Sequence, residues 1–229
     1  MKIKNVVLVH GAFADGSSWS RVVSLLRAKG VNAIAVQNPL SSLADDVTAT
    51  KRVLDSLDGP ALLVGHSWGG AVITEAGNHP RVVGLIYVSA GAPASGQSFN
   101  DWWKDYPPEA GGKEIQPFGN DGYLALTLKG VETCFVQDLP PEEAGVVYAT
   151  QGPLAARCFD DKISEAAWLK KPSWYIVAEN DHMIPPAVER ASAARMKATT
   201  VTLKSCHVPM LSQPEKVAGV IESALAKLG

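Results

Sequence analysis

Ten residues, Ala61–Gly70 (A-L-L-V-G-H-S-W-G-G), constrain this chain more than any others. The apolar run Ala61–Val64 reads as a strand buried on both faces, as strands of a parallel sheet are. It runs straight into Gly65-His66-Ser67-Trp68-Gly69, a G-x-S-x-G pattern. Ala71, Val72 and Ile73 then continue into a helix that Pro80 stops. So abrupt a turn from strand to helix leaves no room for side chains at its flanks. Glycines on both sides let the two elements approach closely and lift the Ser67 hydroxyl clear of the sheet. That is the setting of a nucleophile; the plainer alternative is a glycine-rich turn in an α/β protein.

The rest of the chain repeats the rhythm around this stretch. Val6–Val9 reads as a buried strand ending at His10-Gly11-Ala12-Phe13. Trp19, Val22, Val23 and Leu26 recur at helical spacing after Asp15 and Ser17, and Gly30 closes that helix. Ala33–Val36 is the next strand. Ser42 is a candidate N-cap, with Asp45 and Asp46 placed to suit the dipole of the helix that follows. Val82–Val88, Trp174–Ala178 and Thr200–Leu203 complete six strands. Pro185-Pro186 start a helix through Ala194, and the apolar positions Val217 to Leu228 form an amphipathic last helix. Alternating strands and helices imply a mostly parallel sheet joined by right-handed crossovers.

Between Ser89 and Lys171 the rhythm changes. The segment is rich in Gly and Pro, holds Trp102 and Trp103, and has only short apolar clusters. A helix is expected near Asp121 (Tyr123, Leu124, Leu126, Leu128) and another after Pro140-Pro141. No linker, charge run or low-complexity tract divides the 229 residues, so one domain over 1–229 is expected, with 89–171 inserted over the sheet.

Composition narrows the partners. A net charge of −2 gives no electrostatic reason to expect nucleic acid or an anionic membrane. No apolar run approaches the ~18 residues a bilayer span requires. Met1-Lys2-Ile3-Lys4 enters a strand too short for a signal-peptide core. Cys134, Cys158 and Cys206 cannot all pair, so reduced thiols in a cytoplasmic protein are expected. No metal-ligand spacing and no G-x-G-x-x-G after the first strand point to a cofactor. A homodimer is left open.

A serine hydroxyl needs a base to take its proton and an acid to orient that base. Both belong in loops after strands, because the C-terminal strand ends meet on one rim. His207, in Ser205-Cys206-His207 after the last strand, is the expected base; His182 could line the site. For His10, His66 and His79 a structural role is the better reading. Asp181 follows the Trp174–Ala178 strand and is the expected acid, with Glu179, Asp160 and Asp161 as competitors. The oxyanion donors expected are the backbone N–H of Trp68 and that of Ala12, or less favourably that of Phe13. Phe99, Trp102 and Trp103 are expected to cover the core, with substrate contact as the sharper alternative. Phe13 is a further candidate for substrate contact.

Four motifs together, V-L-V-H-G-A (Val7–Ala12), G-H-S-W-G-G (Gly65–Gly70), D-H-M-I-P (Asp181–Pro185) and C-H-V-P-M-L-S-Q-P (Cys206–Pro214), resemble the α/β-hydrolase superfamily along nearly the whole chain. The order Ser67, Asp181, His207 is that superfamily's order. Within it, the chain is similar to the compact branch of plant methyl-ester esterases, hydroxynitrile lyases and bacterial esterase relatives. The chain begins at the strand before the His10-Gly11 loop, so the first strands of the eight-stranded superfamily sheet are expected to be missing. The resemblance implies a cofactor-free serine hydrolase but no particular substrate. In it Ser67 is the nucleophile, His207 the general acid/base and Asp181 its orienting acid, with Ser89–Lys171 as a cap. The ordered triad and the paired glycine loops lead to the expectation that small, largely uncharged carboxylic esters are cleaved through an acyl-enzyme. The lyases of the branch resemble H-T-I at the oxyanion loop and carry a lysine after the catalytic histidine. Here those positions are Gly11 and Val208, which favours the esterase reading over a lyase; the complete triad and both glycine loops favour it over a receptor, and other C–C or lactone chemistry stands as an alternative.

Overall fold

The computed structural model describes residues 3–229. Met1 and Lys2, read above as the approach to the first strand, lie outside the described residues. Six strands form one parallel sheet: β1 (Asn5–Val9), β2 (Asn32–Ala35), β3 (Ala61–His66), β4 (Val82–Val88), β8 (Ser173–Ala178) and β9 (Thr199–Leu203). Their order is β2-β1-β3-β4-β8-β9, so β3 and β4 are central. Composition follows position. β1, β3 and β8 are buried along their whole length. The edge strand β9 keeps Thr199, Thr200 and Thr202 exposed. Register aligns Val7 with Leu63 and Leu63 with Leu85, stacking apolar side chains across the middle of the sheet.

Helices flank this sheet. A 3₁₀ turn, Gly16–Trp19, is capped by Asp15 Oδ1 accepting from the Ser17 N–H at 2.6 Å, and leads into α1 (Ser20–Ala28). Gly30 ends it at φ +75°. Ser42 caps α2 (Leu43–Asp55) by accepting from the Asp45 N–H at 3.1 Å. The helix after the G-x-S-x-G turn, α3 (Gly69–Ala76), ends at Gly77, one residue triplet before Pro80. The last elements, α7 (Pro186–Arg195), α8 (Pro209–Ser212) and α9 (Pro214–Leu228), complete the layers; α1 packs with α9 and α2 with α3. No helix among the described residues is long and apolar enough to cross a membrane.

The segment between β4 and β8 has its own small architecture. Ser98 and Asp101 form a capping box at the start of α4 (Phe99–Trp103). A three-stranded antiparallel sheet follows, made of β5 (Ile115–Phe118), β6 (Tyr123–Leu126) and β7 (Leu154–Ala155). Between β6 and β7 lie α5 (Leu128–Gly130), a π-helical turn Val131–Phe135 and α6 (Pro141–Thr150). The helix expected near Asp121 is therefore a strand. Gly119 (φ +72°) and Gly122 (φ +84°) turn the chain back, pairing Phe118 with Tyr123 and Ile115 with Leu126. Hydrogen bonds tie the segment to the sheet layers: Ala155 N–H donates to Leu40 O at 2.8 Å, and Leu43 N–H donates to Asp161 Oδ2 at 2.9 Å.

Candidate active site

β3 delivers Ser67 into a left-handed backbone conformation, φ +52°, which costs a non-glycine residue about 1–2 kcal/mol. Its neighbours hold it there. Ser67 N–H donates to Val88 O at 3.3 Å, and Ser67 O accepts from Gly70 and Gly91 N–H at 3.0 Å each. The glycines of the motif are required by contact. A β-carbon on Gly65 would stand 2.5 Å from Gly69 O, and one on Gly69 would stand 2.6 Å from Val9 O. The same test at Gly11 places a β-carbon 2.7 Å from Ser67 Cβ, so the loop after β1 lies directly against the turn after β3.

His207 and Asp181 meet on the same rim. His207 Nδ1–H donates to Asp181 Oδ2 at 2.5 Å, with both side chains almost wholly buried. Asp181 Oδ1 accepts two backbone N–H groups, Met183 at 2.6 Å and Ile184 at 2.9 Å. The carboxylate is thus held by three donors, and it directs Nε2 of the imidazole away from itself. His207 and Ser67 line one cavity, although among the described residues no hydrogen bond joins the Ser67 hydroxyl to the His207 ring. The competing acids are occupied elsewhere. Glu179 lies at the surface near Arg190, Asp160 accepts from Asn100, and Asp161 serves α2.

Two further histidines brace this arrangement. His66 Nε2–H donates to His207 O at 2.9 Å, and burial holds its pKa well below the ordinary value, so it stays neutral. His10 donates from Nδ1 to Gly11 O at 2.8 Å and accepts the Asn38 N–H at Nε2, 2.9 Å. That pattern requires neutral imidazole, and burial lowers its pKa accordingly. His10 therefore fixes the loop carrying Ala12. Neither the Ala12 nor the Trp68 N–H donates a hydrogen bond among the described residues, although both residues are buried.

The cavity is apolar and small, about 30 Å³. Besides Ser67 and His207 it is lined by Ala12, Phe13, Phe99, Trp103, Ile115, Phe135, Phe159, Met183 and Ile184. Of the residues proposed for substrate contact, Phe13, in a left-handed conformation at φ +58°, and Trp103 line it. Trp102 and His182 do not line it. Trp102 turns its indole N–H to Ser192 Oγ at 2.8 Å, docking α4 on α7. His182 is exposed and sits against Thr133 O at 3.3 Å.

Asp46 escaped the sequence reading. Its place in the first turn of α2 suggested a solvated partner of the helix dipole, yet it is wholly buried. Oδ2 accepts the Trp68 indole N–H at 2.7 Å and Oδ1 the Leu40 N–H at 2.8 Å. Burial pushes its pKa up to about 6 against the pull of those two donors. It thereby anchors the residue next to Ser67. The helical spacing Leu43, Asp46, Val47, Thr50, Leu54 on one face was the available signal.

The sequence model of the alpha/beta hydrolase family matches residues 6–220. A pyrethroid hydrolase of Sphingobium wenxiniae is 29% identical over 96% of this chain and 87% of its own length. A putative chloroplastic methylesterase of Arabidopsis thaliana is 25% identical over 95% of this chain and 56% of its own length. The crystal structure of a pyrethroid hydrolase from Sphingobium faniae superposes with a TM-score of 0.82 at 25% identity, covering 97% of both chains. That of polyneuridine aldehyde esterase has the same fold, with a TM-score of 0.81 at 21% identity over 96% of this chain and 98% of its own. With its sheet order, strand-end turn and matched span, this chain belongs to the α/β-hydrolase family.

Proposed function

We propose that the protein is a serine carboxylesterase that cleaves small, uncharged esters through an acyl-enzyme intermediate. One observation carries the reading: a buried His207–Asp181 pair and a strained serine turn open on the same cavity, beside two unengaged backbone N–H groups. The hydrolase and esterase relatives support it.

In this reading His207 Nε2 takes the Ser67 proton as Oγ attacks the ester carbonyl. The oxyanion that forms accepts from the Ala12 and Trp68 N–H groups, each worth about 2.7–4 kcal/mol in the transition state. Asp181 stabilises the imidazolium without taking its proton. His207 then protonates the departing alkoxide, and the acyl group stays on Ser67. Water, deprotonated by His207, attacks the acyl-enzyme and releases the acid. No step requires a cofactor.

The lining selects substrate class. Other than His207, no ionisable side chain among the described residues faces the cavity, so charged acyl groups gain no partner there. A volume of about 30 Å³ holds little more than one water, so an ester enters only as the aromatic lining shifts. Five lining residues (Phe99, Trp103, Ile115, Phe135 and Phe159) come from the segment between β4 and β8, which acts as the cap. Phe135 also borders an outer groove of about 270 Å³, lined by Val147, Val208 and Leu211 among others, which can take the bulkier part of a substrate. The three cysteines are free and buried, as suits a reducing, cytoplasmic setting.

A panel of p-nitrophenyl esters of rising acyl length tests the proposal, together with a fluorophosphonate followed by peptide mapping. Turnover on the short esters and a single adduct on Ser67 are expected. Buffer-level rates across the panel, or an adduct elsewhere, would remove the assignment. Mandelonitrile run alongside separates the lyase reading, which Gly11 and the uncharged Val208 disfavour: cyanide release without ester turnover would reinstate it.

A further inference from the structure

Glu189 occupies the first turn of α7, where an acidic side chain ordinarily points to water and complements the helix dipole. Here it is fully buried instead. Glu189 Oε2 accepts the N–H of Ala178, the last residue of β8, at 3.0 Å. Its other oxygen has no donor among the described residues. The carboxyl group lies within hydrogen-bonding reach of the Asp181 carboxyl. Two carboxyl groups in contact inside a protein cannot both carry charge. The donors decide where the single proton resides. Asp181 receives three N–H groups, from Met183, Ile184 and His207, so both of its oxygens already accept. Glu189 receives one. Among the described residues no ion pair involves Glu189. Arg190, whose charge favours the ionised form, pairs with Glu179 at the surface, and Tyr175, which also faces Glu189, is buried and donates its hydroxyl proton to Ala90 O.

We propose that Glu189 is a positioning residue for the catalytic pair: it stays protonated and donates its carboxyl hydrogen to Asp181. This rests on the reading of Asp181 as the acid that orients His207. The hydrogen bond supplies the fourth tie on that carboxylate. It steadies the acid that orients His207 without adding a second negative charge near the imidazole. Burial and Asp181 both push the Glu189 pKa well above the ordinary carboxyl value, in keeping with a neutral group.

The test compares Glu189→Gln with Glu189→Leu in the whole enzyme. Glutamine keeps a hydrogen donor for Asp181 and an oxygen for the Ala178 N–H. It should hold kcat/KM within about threefold of wild type and leave the acid limb of the pH–rate profile in place. Leucine removes the donor. It should lower kcat about ten- to a hundredfold, the worth of a hydrogen bond to a charged group, with KM little changed. If Glu189 is ionised in the native enzyme, Gln instead removes a negative charge near His207 and moves the acid limb to lower pH, which would overturn the proposal. If Leu costs only thermal stability while kcat and the acid limb stay as in wild type, Glu189 is merely structural and the proposal also fails.

Two readouts need neither activity nor a folded Leu variant. Infrared difference spectra of wild type against Glu189→Gln at neutral pH should show a protonated-carboxyl carbonyl band lost; a lost carboxylate band would refute the assignment. A carboxyl whose folded pKa is raised lends stability below its unfolded pKa and loses it as pH rises. The melting temperature of Glu189→Gln should therefore gain on wild type between about pH 5 and about pH 8. An inactive wild type with the protonated band present would strike the esterase reading and spare this one.

Discussion

On the sheet side of the cavity the candidate catalytic groups are held by directional hydrogen bonds, whereas the cap side, residues 89–171, meets it through packed aromatic rings. Ser67 is tied at N and O to β4 and the loops around it, Asp181 by two N–H groups, and His207 through both its ring and its carbonyl. Across from them Phe99 packs, tilted or edge-on, against Trp68, Trp102, Trp103 and Phe159 at centroid separations of 5.8, 5.3, 5.4 and 5.5 Å. A hydrogen bond to a buried charge fixes an atom's position. Aromatic contacts contribute about 0.5–1.5 kcal/mol each over a range of offsets and tolerate rearrangement. In the proposed reading, chemistry falls on the unyielding side and shape selection on the adjustable one.

The widest separation between the two sides is expected from Ser67→Ala. It should lower kcat on short esters by about 10⁶ while leaving the fold intact, since the strained turn is held by backbone contacts that alanine retains. Residual turnover within a hundredfold of wild type would move the nucleophile elsewhere.

A smaller effect of a different kind is expected on the cap side. Trp103→Ala should change the ratio of kcat/KM between long and short acyl chains by about tenfold, the range available to apolar pocket contacts. Turnover of the shortest ester should change little. Loss by the same factor on every ester would show that the cap takes part in holding the chemistry, and the contrast between the two sides would collapse.

The same division governs what sequence alone could disclose. Parallel strands buried on both faces are continuous apolar runs, and their ends are punctuated by glycine or by the residues of the site. β4 is legible to its termini, and Ser67, Asp181 and His207 follow from their places after β3, β8 and β9. The inserted segment carries no such periodicity. Tyr123, Leu124, Leu126 and Leu128 fit a helical stripe, but Gly119-Asn120-Asp121-Gly122 is also a hairpin turn, and pairing with β5 and β7 decided the outcome. Trp102 and Trp103 are adjacent and indistinguishable in sequence; only the docking of α4 sends one indole to Ser192 and the other to the cavity. Asp46 and Glu189 were hidden for one shared reason. Each sits in the first turn of a helix, where an exposed acidic residue is the ordinary expectation, and burial depends on what the rest of the fold brings above it.

Asp46 lies on the seam between the two sides and offers the finest test. Its carboxyl holds the Trp68 indole on the sheet side and the Leu40 N–H, while Leu40 O accepts from Ala155 of β7 on the cap side. Burial, with Asp45 adding to it, raises its pKa from 3.8 to about 6. A carboxyl raised on folding binds more protons in the folded state. The stability it lends is therefore complete below about pH 4 and is lost as pH rises through about 6. Asp46→Asn does not titrate. Its asparagine satisfies only one of the two N–H donors, so it should be less stable than wild type at low pH. That gap should shift in the variant's favour by about 3 kcal/mol in all as pH is raised from 4 through 6, read as the difference in melting temperature between the two proteins. Ester turnover by the folded variant should fall only a few-fold, because the Trp68 N–H belongs to the turn after β3 and not to the indole. A gap that widens with pH would mean that the two donors outweigh burial at Asp46. A collapse of turnover would mean that the seam holds the oxyanion donor in place, joining the two sides that the rest of the structure keeps apart.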